Sequence, residues 1–232
     1  MFSRLRFVCL LLVCAAAPAA AQVGSLPNKS PYLDLEDGQR LGVTAGMMTF
    51  GKDPVHVGPS GTAPTLGIRY DLYLGGPVYL TSRLLAASFD RNVLDYKKKP
   101  ASRLTGKQSG VLTDLDVGLS ISATGERSWK GIQPLLNMGV GMIFAPGDSK
   151  ADVSGYNTKS ALSASWGLGV RWVTGKNSEL RADLSYYYWQ LKYPENYRST
   201  DADPISIYPT GSLTPYTTNR SLTVSYSMGI FR

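Results

Sequence analysis

From residue 39 the chain alternates apolar and small or polar residues with a period of two. The clearest stretch is 161–193, ALSASWGLGVRWVTGKNSELRADLSYYYWQLKY. Leu162, Ala164, Trp166, Leu168, Val170 and Trp172 share one face, against Ser163, Ser165, Gly167, Gly169 and Arg171. After Gly175-Lys176-Asn177-Ser178, Leu180, Ala182, Leu184, Tyr186 and Tyr188 oppose Arg181, Asp183, Ser185, Tyr187 and Trp189. Successive side chains of a strand point to opposite faces, so this pattern predicts two strands joined by a tight turn. The runs exceed the usual strand length of soluble domains and match what a tilted membrane-crossing strand needs.

The same pattern recurs six more times. Leu41, Val43, Ala45 and Met47 oppose Arg40, Gly42, Thr44 and Gly46, and Leu66, Ile68, Tyr70, Leu72 and Leu74 oppose Gly67, Arg69, Asp71 and Tyr73. The third strand, 78–90, is less regular: Val78, Leu80, Leu84 and Ala86 against Tyr79, Thr81, Arg83 and Leu85. Every second residue from Val111 to Ile121 opposes Asp114, Asp116, Gly118, Ser120 and Ser122; every second one from Pro134 to Phe144 opposes Asn137, Gly139 and Gly141; every second one from Leu222 to Ile230 opposes Thr223, Ser225, Ser227 and Gly229. The connections alternate in length: long at 51–63, 91–108, 145–159 and 194–219, short at Gly75-Gly76-Pro77, 124–130 and 175–178. Eight strands joined in this way predict an all-β fold, an eight-stranded antiparallel up-and-down barrel over 39–232 with both chain ends on the short-turn side. Residues 22–38 read as a lead-in, in which Leu33-Asp34-Leu35-Glu36 suggests a short helical turn or plug.

Charge decides which face is inside. Arg40, Arg69, Asp71, Arg83, Asp114, Asp116, Arg171, Arg181 and Asp183 all fall on the small-residue face. Facing lipid, each arginine would cost roughly 2–4 kcal/mol near the midplane, so inverting the barrel would cost on the order of 20 kcal/mol, more than a domain's net stability. Facing inward, the charges can pair across strands in a closed lumen. The bulky apolar face then meets lipid, with Tyr70, Phe144, Trp166, Trp172, Tyr186, Tyr188 and Tyr226 as lipid-facing and girdle residues. The aromatics gather at both strand ends: Trp172, Tyr79, Trp129 and Phe231 at the short turns, Phe144, Tyr186, Tyr188 and Tyr193 at the long loops, as in a headgroup-level belt.

The N-terminus adds an export signal. A basic start with Arg4 and Arg6, an apolar run over 7–17 and Ala19-x-Ala21 predict a signal peptide, 1–21, cut before Gln22. Cys14 offers a lipoprotein alternative, disfavoured by the bulky Val13 before it. Both cysteines, Cys9 and Cys14, fall within that segment, which excludes a disulfide scaffold and thiol chemistry from the processed chain. The formal charge of +7 is a mild excess, with Lys97-Lys98-Lys99 its only dense cluster.

On these strands, faces and connections the chain resembles the small bacterial outer-membrane β-barrels of the OmpA/OmpX type, from Gln39 to the end. Family members commonly end on an aromatic that the outer-membrane assembly machinery recognises; here Phe231 is penultimate, before Arg232. The resemblance implies an outer-membrane location, lipid and lipopolysaccharide as surroundings, and a monomer.

Catalytic signals are weak. His56, the one histidine, sits in a loop between Pro54 and Gly58, poorly placed for a Ser–His–carboxylate hydrolase. No cofactor and no metal site is expected; Asp201-Ala202-Asp203 reads as a solvated turn rather than a calcium site. Asp114 and Asp116 resemble an acid–base pair, but five arginines on their face make ion pairing the simpler account. Lys97-Lys98-Lys99 reads equally as a lipopolysaccharide phosphate contact or a solvated run. No phosphate loop or nucleic-acid module is present. The expected role is structural or surface-interacting, through long extracellular loops, especially 194–219 with Tyr197, Tyr208 and Tyr216. The alternatives are a barrel-embedded lipid-modifying enzyme, a narrow solute channel and a soluble lipocalin-like carrier.

Overall fold

The computed structural model describes residues 30–35, 38–95, 97–146, 155–156, 158, 160–175, 177–198, 207 and 212–231, with Pro100 and Phe231 as backbone only. The expected signal peptide, Asp201, Asp203 and Tyr208 lie outside these residues.

Ten strands are described: β1 (Tyr32–Asp34), β2 (Gln39–Thr49), β3 (Thr62–Gly75), β4 (Val78–Leu94), β5 (Leu104–Ser122), β6 (Arg127–Trp129), β7 (Ile132–Phe144), β8 (Ala161–Val173), β9 (Ser178–Gln190) and β10 (Tyr216–Phe231). Eight of them form the predicted ring, each antiparallel to its neighbour in sequence, with β10 closing on β2. The closing ladder runs from Arg220↔Thr49 to Phe231↔Gln39, so the ring has no free edge along its wall. Among the described residues no helix is long and apolar enough to cross a membrane.

The phases follow the alternation. On β8 every second residue from Ala161 to Arg171 is buried and the residues between them are exposed. Inward glycines set how closely the wall can coil. A Cβ on Gly118 would lie 2.0 Å from the Met138 carbonyl oxygen and 2.6 Å from Gly139 Cα. Gly118 and Gly139 are cross-strand partners on β5 and β7, so the two backbones meet with no side chain between them.

The fold departs from the sequence expectations in several places. Where the lead-in is described, Leu33 and Asp34 of the expected helical turn belong instead to a strand, Tyr32–Asp34, paired with β6. β6 lies inside the expected short turn 124–130 and meets β7 through Lys130 and Gly131, both at positive φ (51° and 84°), as a two-residue hairpin requires. β4 and β5 run well past the expected strand ends, pairing from Val78↔Ile121 to Leu94↔Leu104 with one register shift between Val93 and Leu94, so half of 91–108 is strand rather than loop. Tyr79 and Tyr193, expected in the aromatic belts, are buried and turned inward. Tyr79 sits in the inward phase of β4, and that phase overrides its position near the strand end.

Replacing Gly118 with valine should force β5 from β7 and destabilise the barrel by about 1–3 kcal/mol, read as a lower urea midpoint by tryptophan fluorescence in detergent.

Candidate functional site

The inward file of β9 samples the whole interior. From the short-turn end it reads Glu179, Arg181, Asp183, Ser185, Tyr187 and Trp189, all buried, and continues through Leu191 and Tyr193. The interior is thus polar at one end and apolar at the other.

At the short-turn end Glu179 takes Arg171 Nε in a short ion pair and lies 3.4 Å from Arg40 Nε. Arg171 also donates to Gln133 Oε1 at 3.0 Å, and its guanidinium lies 5.1 Å from the centre of the Tyr79 ring. A cavity between Tyr79, Arg171, Glu179 and Arg181 has room for roughly one water.

One layer further in, Asp183 joins two arginines. Arg69 Nη1 donates to its Oδ2 at 2.8 Å and Arg181 Nε at 3.0 Å. Arg69 Nε also meets Asp71 at 2.6 Å, and Arg181 Nη1 lies 3.7 Å from the same carboxylate. Asn137 supports both partners, donating to Asp183 Oδ1 at 2.8 Å and accepting from Arg181 Nη2 at 2.6 Å. A Cβ on Gly169 would lie 2.3 Å from Asp183 Oδ1, so that position must stay bare.

The next layer couples Arg83 to Asp116 at 2.9 Å, with Ser165 bonded to the other Asp116 oxygen and Ser185 accepting from Arg83 Nη1 at 3.2 Å. β5 and β8 are separated by β7, which contributes Gly139 and Gly141 here. Over these bare positions Ser163 and Ser165 of β8 reach Asp114 and Asp116 of β5. Asp114 departs from the ion-pair expectation: Ser163 Oγ donates to its Oδ1 at 3.1 Å, and its buried Oδ2 has no hydrogen-bond partner among the described residues.

All nine charges expected on the small-residue face are buried. Glu179 joins them, in phase with Arg181 and Asp183 but beside the turn, and brings five arginines against five carboxylates. Its position two residues before Arg181 was the available signal. Phe144, Trp166, Trp172 and Tyr226 are exposed on the outer face, and Tyr70, Tyr186 and Tyr188 are half-buried there. Trp166 stacks on Tyr186 with ring centres 4.9 Å apart and donates to the Tyr188 hydroxyl at 3.1 Å.

Towards the long loops the inside becomes a hydrophobic core containing Met48, Phe50, Leu85, Phe89, Leu112, Ile143, Tyr187 and Trp189. The loop 51–61 folds over it, with Val57 fully buried. Asp53 organises that loop, accepting the backbone N–H groups of Val55 (2.9 Å), Val57 (2.8 Å) and Gly58 (2.5 Å) and the Tyr193 hydroxyl. Tyr197, expected on the contact surface, is buried in the same core, whereas Tyr216 is exposed. His56 is exposed at positive φ (59°). Among the described residues no group of three or more histidine, cysteine, aspartate or glutamate side chains could hold a metal.

The sequence matches no family model and no curated protein. Among solved structures, Neisserial surface protein A shares 11% identity at a TM-score of 0.51, covering 84% of this chain and 98% of that one. The N-terminal β-barrel domain of Pseudomonas aeruginosa OprF (13% identity, 82% and 97% covered, TM-score 0.39) is also similar. So is a major outer membrane protein of Thermus thermophilus (13%, 83% and 100%, 0.44). The likeness to the neisserial protein is one of fold: this chain folds as a small eight-stranded barrel of the outer-membrane type.

Removing one member of a buried ion network leaves the others charged and unpaired. Asp183→Ala should therefore cost about 3–5 kcal/mol, whereas Asp34→Ala, which breaks the exposed Arg127–Asp34 pair, should leave the urea midpoint unchanged. Tyr193→Phe should release the loop 51–61 at a cost of about 1–3 kcal/mol, seen as faster protease cleavage within that loop.

Proposed function

We propose that this protein is an integral protein of the bacterial outer membrane with a structural or surface-interaction role carried by its long loops, and without catalytic activity. The observation that carries this reading is the outer wall. On every ring strand large apolar side chains stand exposed: Val43, Ile68, Leu84, Val117, Met138, Leu168, Leu184 and Val224. A soluble monomer rarely exposes an apolar patch larger than a few hundred square ångströms. A closed barrel with this belt suits lipid, because its strands pair all round the ring and leave no open edge to the bilayer. The same exterior counts against a soluble carrier.

In this reading the short turns lie in the periplasm and the long loops outside. Outer-membrane lipid and lipopolysaccharide surround the belt, the outer-membrane assembly machinery inserts the chain, and nucleic acid has no part. The closed wall favours a monomer. Against a channel stands the filled interior: paired charges below, the hydrophobic core above, and the loop 51–61 over the mouth. Against a histidine-dependent lipid hydrolase stands the exposure of His56. The carboxylate nearest to it in sequence, Asp53, is occupied by backbone amides.

Cell fractionation with gel migration before and after boiling tests the assignment. The protein should be recovered with the outer membrane and migrate faster unboiled; recovery in the soluble fraction would sink the reading. Leu168→Arg should destabilise the lipid-embedded barrel by about 2–4 kcal/mol, while planar bilayers containing the wild-type protein should show no steady conductance.

A further inference from the structure

The layer around Asp116 has one cation for two carboxylates. Each nitrogen of Arg83 is already engaged. Nη2 and Nε donate to Asp116 Oδ1 at 2.9 and 3.3 Å, Nη2 also meets Ser165 Oγ, and Nη1 meets Ser185 Oγ, both at 3.2 Å. Asp116 is complete in turn, because Ser165 occupies its second oxygen. Asp114 lies two residues along the same strand and on the same face, about 7 Å away at the usual strand rise. It receives one donor, Ser163 Oγ at 3.1 Å, while its buried Oδ2 meets no hydrogen-bond partner among the described residues.

The surroundings of Asp114 are ill suited to a negative charge. Its cross-strand partners are Leu85 on β4 and Ile143 on β7, both members of the hydrophobic core. β7 also brings the bare Gly141, over which Ser163 of β8 reaches across. The charged and titratable groups that act on Asp114 are Asp116 on its own strand, Arg83 on β4 and Tyr187 on β9. Asp116 repels a second carboxylate. Tyr187 is a neutral phenol whose ring centre lies 5.5 Å from the Arg83 guanidinium. An ionised carboxylate has about four acceptor sites to fill. Burying it with a single neutral donor costs far more than burying the acid form, so such a group neutralises instead.

Two bridges therefore cross β7 side by side, and they differ. Ser165–Asp116 is backed by Arg83 and needs the carboxylate. Ser163–Asp114 is backed by no cation. We infer that Asp114 is a proton-dependent fastening between β5 and β8: its carboxyl holds a proton while the barrel is closed, and ionisation draws water to the Ser163 bridge and loosens the apolar core under the loop 51–61. The inference goes beyond the structural role and requires only the closed ring.

The sign of the effect follows from proton balance. In the unfolded chain Asp114 ionises in the ordinary carboxyl range, about 4. Above that range the unfolded chain has released a proton that the native barrel keeps, so stability falls as pH rises, until the native group ionises as well.

The test compares urea midpoints of the full chain in detergent for the wild type and Asp114→Asn across pH. Asparagine has the same shape and no charge to lose, and all other titrations cancel in the difference. Below the carboxyl range the two midpoints should nearly coincide. Above it the wild type should fall progressively below the variant, then run parallel to it. Asp116→Asn, which strands Arg83, should instead lie below the wild type at neutral pH. A gap between wild type and Asp114→Asn that stays constant with pH would overturn the inference. If Asp114→Asn no longer shifts on boiling, infrared spectroscopy of the wild type decides. A carboxylic-acid carbonyl band should persist at neutral pH, move on ¹³C-aspartate labelling and vanish reversibly in alkali, and its absence would overturn the fastening.

Discussion

The structure depends on burying ten ionisable groups inside the ring. Five arginines and five carboxylates occupy the inner wall, and each layer bridges strands that are not neighbours in the ring. Arg69 on β3 reaches Asp183 on β9, and Arg83 on β4 reaches Ser185 on β9 and Ser165 on β8. Such cross-lumen bonds require a fixed diameter and a fixed register. A one-residue slip of any strand would turn its charges outward. Ion pairs in a low-dielectric interior gain little over well-packed apolar groups, because desolvation offsets attraction. Their consequence here is selective: alternative registers leave charges unpaired.

Glycine and serine make this arrangement possible. The guanidinium groups are wide and an eight-stranded lumen is narrow, so neighbouring inward positions must be nearly empty. Gly139, Gly141 and Gly169 supply that space beside Asp116 and Asp183, and serines add donors small enough to fit between the ions. The small-residue face of the sequence is therefore the complement of its charged residues.

Much of this was legible in the chain. Strand number, order, phase and the inward side of the charges followed from alternation and the desolvation cost of arginine. The misread lengths of β4 and β5 share one cause: alternation marks strands only where the two faces meet different media. Near the long loops the inside turns apolar, so Leu84 and Leu85, or Val111 and Leu112, blur the pattern although the strand continues. Beyond the belt both faces are polar, and the far end of the β4–β5 hairpin looked like loop. Tyr79 and Tyr193 carried an inward phase that their positions near the strand ends obscured. Asp53 left no readable trace, because its partner Tyr193 is 140 residues away.

The seam between β2 and β10 joins the two ends of the ring's sequence, as in the bond between Thr44 and Ser225 across 181 residues at 2.8 Å. Every other pairing in the wall is between strands adjacent in the chain and can zip locally; this one bears a large loop-closure entropy and forms only after the C-terminal strand is available. Until then β2 and whichever strand has paired last both present bare edges. The period of greatest exposure to misassociation therefore lasts until β10 closes on β2, and the stability of the finished barrel does nothing to shorten it.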